Sequence, residues 1–335
     1  MIKHYIQTKS YTTTCKQIEM GVIDLSAITR RKKERRSIGR FKREGYLSLY
    51  LMMLPVIAIL IIFKYIPMNG VLIAFQDYNI FDGILGSEFI GLDNFRLMFS
   101  ESDFLRALKN TFVLNLYKMC FYIPLPIIVT LMLNEIGKRL RSFIQTVLYL
   151  PHFFSWVIVG GIFVSILSVN SGLVNQWIKS VGGEPVKFLF DSGIFLNVLV
   201  FSAMWKEIGW GSIVYVSAIA SIDPEIYEAA RIDGASLLQQ MIRITIPNIS
   251  STIVLMTLMS LANILGNSFE QVLVMYNPAV YDVADIINTY VYRMGVNNMQ
   301  YGYASAVGLF NGFVGFLFLI SANYLCKKFL DKSIW

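Results

Sequence analysis

The chain has 335 residues, 55% of them hydrophobic and 15% charged, with a net charge of +7 and a mean hydropathy of +0.56. Soluble domains carry roughly 25% charged residues, so a water-soluble globule is excluded: too few polar residues remain to clothe so many apolar runs. Two histidines and three scattered cysteines also exclude a histidine metal cluster and a redox or metal spacing of cysteines.

In chain order, residues 1–45 form a polar, basic tail without the pattern of a cleavable signal peptide. Six apolar runs follow, near 46–65, 108–133, 143–168, 196–220, 249–275 and 303–326. Each approaches or exceeds the ~20 residues that cross ~30 Å of hydrocarbon. Pro55, Pro124, Pro126 and Pro151 fall inside or beside these runs, where membrane helices tolerate breaks if neighbours satisfy the freed carbonyls.

Basic residues set the expected orientation. "RRKKERRSIGRFKR" (30–43) precedes the first run, Lys138, Arg139 and Arg141 follow the second, Arg231 and Arg243 the fourth, and Lys327, Lys328 and Lys332 the sixth. The alternate connectors, 66–105, 169–195 and 276–302, are poorer in Lys and Arg for their length. The positive-inside rule places both termini and the 221–248 connector in the cytoplasm. The basic tail is then a topology determinant in contact with anionic membrane lipid; no nucleic-acid partner is expected.

The fourth connector is too long for a simple reversal. Asp223 and Pro224 read as an N-cap and first helical residue, and Glu225 adds an acid to the first turn. A short helix is predicted from Pro224 to Asp233, stopped by Gly234. A second amphipathic helix starts near Ser236, with Leu237, Leu238, Met241 and Ile242 on one face, and Pro247 ends it. Small Ala229 and Ala230 permit close approach, and Glu228 and Arg231 share a helix face. Composition alone leaves docking and simple capping of the bundle equally open.

The spacing goes further. Glu228-Ala229-Ala230, three residues, Gly234, nine residues, Ile244, one residue, Ile246-Pro247 resembles the E-A-A-x3-G-x9-I-x-L-P loop of ABC-importer permeases, departing only at Ile246, where leucine is usual. "FKYIPMNGVLIAFQDYN", "YLPHFFSW", "IGWGSIVY", "DPEIYEAARIDGA" and "IINTYVYRMG" resemble carbohydrate-uptake permeases of the maltose-importer type, and most closely the branch for complex oligosaccharides and polysaccharides. The resemblance implies an all-α, six-helix type I importer fold in a bacterial plasma membrane. It further implies that Glu228, Ala229, Ala230, Gly234, Ile244, Ile246 and Pro247 couple the permease to an ATPase. Implied partners are two cytosolic ABC ATPase subunits, which would carry the ATP and Mg, a sister permease in a heterodimer, and an extracellular solute-binding protein or lipoprotein. The chain itself lacks a G-x4-G-K-[ST] phosphate loop, so it is expected to bind no cofactor and catalyse nothing.

Polar groups inside spans mark a solute path, since a charge at mid-bilayer costs about 2.5–3.5 kcal/mol on insertion scales. "WKEIGW" places Trp205, Lys206, Glu207 and Trp210 in the fourth run, with Lys206 and Glu207 pointing about 100° apart. Asn263, Asn267 and Glu270 form one stripe of the fifth. Trp205, Trp210, Asn263, Asn267 and Glu270 are the path candidates; for any one of them the alternative, interhelical hydrogen bonding with tryptophans at a membrane interface, is the favoured reading. His152 and Trp156 read as packing residues, and Lys118 as snorkelling or paired. Gly160, Gly161, Gly308 and Gly312 permit close helix approach.

The expected organisation is a tail (1–45), a first span with its extracellular loop (46–107), a core (108–326) containing the 223–247 loop, and a second tail (327–335). An ATP-independent secondary carrier is the alternative, although it needs no docking loop. An intramembrane enzyme using Ser155 or Ser212 lacks supporting acids or motifs.

Overall fold

The computed structural model describes residues 46–262, 266 and 268–330; the basic tail, Asn263 and Asn267 lie outside the described residues. The chain divides into two compact units, 1–68 and 69–335. In the first, helix α1 (Tyr46–Leu60) carries Pro55 within it and passes into a wider turn at Ile61–Tyr65. Its side chains from Leu49 to Leu54 are all more than half exposed, as expected of a helix whose solvent is lipid.

The second unit opens with the one departure from an all-helical architecture among the described residues. Strands β1 (Gln76–Asp77) and β2 (Glu88–Phe89) pair antiparallel, Gln76 opposite Phe89. This clasp packs beside helix α2 (Asp93–Ser100), whose Asn94 donates to the carbonyls of Ala74 and Gln76. Residues 69–107 belong to the second unit.

Helices α3 (Ser102–Tyr122) and α4 (Pro124–Glu135) together form one apolar stretch, Ser102–Glu135. The paired prolines interrupt the ladder at Ile123 without ending the span, because a proline in the first turn sacrifices only an N–H that lacked a partner anyway.

The third run is not one helix. Helix α5 (Lys138–Tyr149) passes through a tight turn at Leu150–Phe153 into α6 (Trp156–Leu167), and the two arms bend by 100°. Pro151 shapes the turn, and Ser155 starts α6 by accepting from the Ile158 amide. Ser155 is therefore a helix cap.

After short helix α7 (Leu173–Ser180), the 29-residue α8 (Ser192–Ala220) runs through the centre of the unit. Asp191 caps it through the Gly193 amide. Phe195, Leu199 and Ala203 pack there with Leu114, Val272, Met275 and Ile286 in the largest buried cluster. A Cβ at Gly209 would collide with the carbonyl of Leu148, so α8 and α5 touch backbone to backbone. Gly160 is likewise pressed by Val274, whereas Gly161, Gly308 and Gly312 face open space.

Helices α9 (Pro224–Ile232) and α10 (Leu237–Gln240) build the fourth connector, and α10 continues through a wide turn at Met241–Thr245 to Asn248. The chain then bends by 62° into α11 (Ser250–Ala262). Helix α12 (Phe269–Met275) is a separate element, so the fifth run is divided. Helix α13 (Ile287–Tyr292) and the long α14 (Tyr301–Leu330) complete the unit. Among the described residues three helices are long and apolar enough to span a membrane, or up to five if each bent pair counts as one span.

Candidate functional site

The 223–247 loop is stabilised almost entirely by its own sequence. Asp223 accepts from the Glu225 amide at 3.0 Å, closing the start of α9. At its end the Ala235 amide reaches the Ala230 carbonyl (2.9 Å) and the Gly234 amide reaches that of Arg231 (3.1 Å). These paired bonds satisfy carbonyls the helix cannot, and they require Gly234 at φ +75°. Ser236 then opens α10 with a capping box: its amide donates to Gln239 Oε1, and its hydroxyl accepts from the Gln239 amide. The Tyr227 and Thr245 hydroxyls, 2.9 Å apart, tie the two arms together.

This construction leaves an apolar face uncovered by the described residues. Ile232 is 87% exposed, and Leu237, Leu238 and Ile242 are each more than half exposed. Glu228, Ala229, Arg231, Gly234 and Pro247 are exposed too, while Ala230, Ile244 and Ile246 are half-buried. Met241 leaves the apolar face expected for it and lines a polar cleft of about 300 Å³ with Tyr227, Glu228, Arg231 and Glu135. Glu228 and Arg231 make no ion pair among the described residues.

The second feature is a cavity of about 260 Å³ walled by Asn115 and Lys118 of α3, Trp156 of α6, Glu207 of α8, Ser260 of α11 and Ser268 beside α12. Lys118 is buried; its Nζ donates to Ser268 Oγ (2.8 Å) and Gln271 Oε1 (2.5 Å). Ser268 donates onward to Asn115, and Gln271 donates to the Leu199 carbonyl and to Ser202. On the opposite wall, Glu207 Oε2 meets His152 Nδ1 at 2.7 Å, Lys206 donates to the His152 carbonyl at 2.7 Å, and Trp210 stacks on the His152 ring at 4.3 Å.

The five path candidates part company here. Trp205 lies two residues from both Ala203 and Glu207, which line the cavity, and therefore points the other way, into apolar clefts beside Phe163 and Phe201. Trp210 supports His152 rather than facing the cavity. Glu270 is exposed, and its neighbour Gln271 is the buried group. Asn263 and Asn267 lie outside the described residues. Lys206 and Glu207 do meet, at 3.4 Å, because the long lysine stem curls back. His152 and Trp156, read from sequence as packing residues, stand at the centre of this arrangement. The missed signal was in α3: Thr111, Asn115, Lys118 and Tyr122 follow a helical period and form a polar stripe on one face.

A third cluster holds the 276–300 connector. Buried Asp285 pairs with Arg293 at 2.5 Å and accepts from Thr289, and Arg293 lies over the Tyr281 ring. Burial is the largest single influence and disfavours the Arg293 charge, but the hydrogen bond and charge attraction of Asp285, joined by Tyr276 and Tyr281, together hold its pKa above the ordinary arginine value.

An exposed apolar face on a largely apolar helical bundle that holds a polar cavity fits a transport subunit, and comparison with known proteins gives the family. Residues 122–331 match the family described as "Binding-protein-dependent transport system inner membrane component", and the chain belongs to that family. It is similar to the Polygalacturonan/rhamnogalacturonan transport system permease protein YteP of Bacillus subtilis (strain 168), 41% identical over 92% of this chain and 96% of the relative. Protein LplB of the same organism is 44% identical over 88% and 92%. Among solved structures, a chain of a bacterial alginate ABC transporter, in complex with alginate pentasaccharide-bound periplasmic protein, superposes with a TM-score of 0.81. It is 38% identical and covers 89% of this chain and 100% of its own. A bacterial ABC transporter involved in the import of the acidic polysaccharide alginate gives a TM-score of 0.79 at 40% identity, over 86% and 97%. The protein is a multi-pass membrane permease of an ABC importer, a non-catalytic transport subunit. The secondary-carrier and enzyme alternatives fall with that assignment.

Proposed function

We propose that this chain carries an oligosaccharide across the plasma membrane after an extracellular binding protein delivers it. It does so paired with a sister permease and driven by two cytosolic ATPase subunits that hold ATP and Mg. The observation that carries the reading is the capped and hydrogen-bonded 223–247 loop, which leaves Ile232, Leu237 and Leu238 uncovered by the described residues. A helix pair capped at both ends transmits displacement instead of absorbing it, and its bare apolar face suits a protein cleft. The names of the similar permeases and transporters support a carbohydrate substrate.

In this reading six spans cross the bilayer, α5–α6 and α11–α12 being broken ones, and both termini lie in the cytoplasm with the loop. The cavity between Lys118 and Glu207 lies on the solute path, with Trp156 offering an aromatic face and Asn115 and Ser260 hydrogen-bonding groups. ATP binding must favour one packed state over the other by about 5.5 kcal/mol to swing the population from 1:99 to 99:1. The test is cross-linking in the assembled transporter from cysteine placed at Ile232, together with solute-stimulated ATP hydrolysis by Glu228→Ala. The reading expects a cross-link to the ATPase and loss of stimulation with membrane insertion intact. A cysteine labelled from outside the cell, or unimpaired coupling in the variant, contradicts it.

A further inference from the structure

Lys118 carries a buried amino group with no carboxylate in ion-pair range among the described residues. Its two hydrogen-bond acceptors, Ser268 Oγ and Gln271 Oε1, are neutral. Each belongs to a group held elsewhere: Ser268 by Asn115, and Gln271 by the Leu199 carbonyl and Ser202. An ammonium has three N–H donors, so one remains for a molecule entering the cavity that Lys118 lines.

Glu207, the acid on the opposite cavity wall, makes no ion pair with it among the described residues. Its Oε2 is engaged by His152, and its Oε1 faces Lys206 at 3.4 Å. A buried cation without a counter-ion is strongly unfavourable, and a carboxylate on the bound solute would supply the counter-ion and favour the charged amino group. The remaining wall suits the rest of a sugar unit: the Trp156 ring for its C–H face, and Asn115 and Ser260 for its hydroxyls.

We propose that Lys118 is a specificity-determining residue of this importer, binding the carboxylate of an acidic sugar unit so that anionic oligosaccharides are selected over neutral ones. The proposal rests on the cavity being part of the carbohydrate path, and the experiment separates the two ideas.

The assembled complex in lipid nanodiscs is titrated with trigalacturonate, an alginate trisaccharide and the methyl ester of each, following tryptophan fluorescence. Trp156→Phe identifies the part of the signal that arises in the cavity. At least one acid should bind about tenfold or more tightly than its ester, since charge-assisted hydrogen bonds are roughly twice as strong as neutral ones. Lys118→Gln should abolish that preference while leaving ester binding within about twofold, and Lys118→Arg, which keeps the charge, should retain it. Equal, Trp156-dependent binding of acids and esters overturns the proposal and leaves the path intact. An equal loss of both in Lys118→Gln also overturns it, by showing a packing role. No Trp156-dependent signal from any of the four removes both the proposal and the path.

Discussion

The ammonium of Lys206 donates to the backbone carbonyl of His152 at 2.7 Å, so a side chain from the middle of α8 holds the elbow between α5 and α6. The next residue, Glu207, takes the imidazole of the same histidine. The 100° bend is therefore braced from α8, and Glu207 and Trp156 carry the brace to the cavity wall. Movement of either arm relative to α8 must strain or break these bonds.

Lys206→Met removes that brace and leaves the Glu207 carboxylate with one neighbour fewer. Loss of a buried hydrogen-bond partner costs on the order of 1–3 kcal/mol. The purified complex should inactivate at a lower temperature, with altered Trp210 fluorescence from the loosened His152 stack. Unchanged thermal inactivation would show that the elbow is held by its own turn.

Gly234→Val places a β-branched residue at φ +75°, a strain of roughly 1–2 kcal/mol. No neighbouring atom lies within 4 Å of a Cβ there, so the strain is purely backbone. The loop should lose its fixed corner while the spans insert normally. Solute-stimulated ATP hydrolysis should fall severalfold, and Tyr227→Phe, which removes only the hydroxyl contact worth about 0.5–1.5 kcal/mol, should fall less. The order of the two variants is the readout.

Two glycine substitutions should behave oppositely. Gly209→Ala forces a methyl against the Leu148 carbonyl, and overpacking of this kind costs about 1–3 kcal/mol. Gly308→Ala meets nothing among the described residues and should leave thermal stability within about 0.5 kcal/mol. Co-purification of the sister permease with Gly308→Ala and Gly312→Ala then reports whether that stripe forms the seam between subunits.

Arg293→Ala strands the Asp285 carboxylate, which is 1% exposed. Removing one partner of a buried pair is destabilising by about 3–5 kcal/mol. Deuterium uptake across 276–300 should accelerate, most strongly at α13. Arg293→Lys should rescue only part of the protection, because lysine lacks the flat fork that stacks on Tyr281.

Local chemistry makes the coupling loop legible in the sequence itself. Asp223, Pro224, Gly234 and Ser236 act within four or five residues of themselves, so their spacing alone sets the two helices and the corner. Composition likewise settles that the chain lives in a membrane, and the family spacing of Glu228 to Pro247 points to an importer. The cavity is another matter. Its walls come from α3, α6, α8 and α11, with Ser268 beside α12, and a buried lysine reads the same in a sequence whether it snorkels to the surface or meets Ser268 and Gln271 from 150 residues away. The breaks at the elbow and between α11 and α12 are hidden as well, because hydropathy measures how apolar a run is and not where it turns. Trp205 and Glu270 look like path residues on type alone, and only the rotation of α8 and of α12 decides which side chains face inward. Burial, pairing and helix phase depend on neighbours distant in the chain, and those become fixed only when the helices pack.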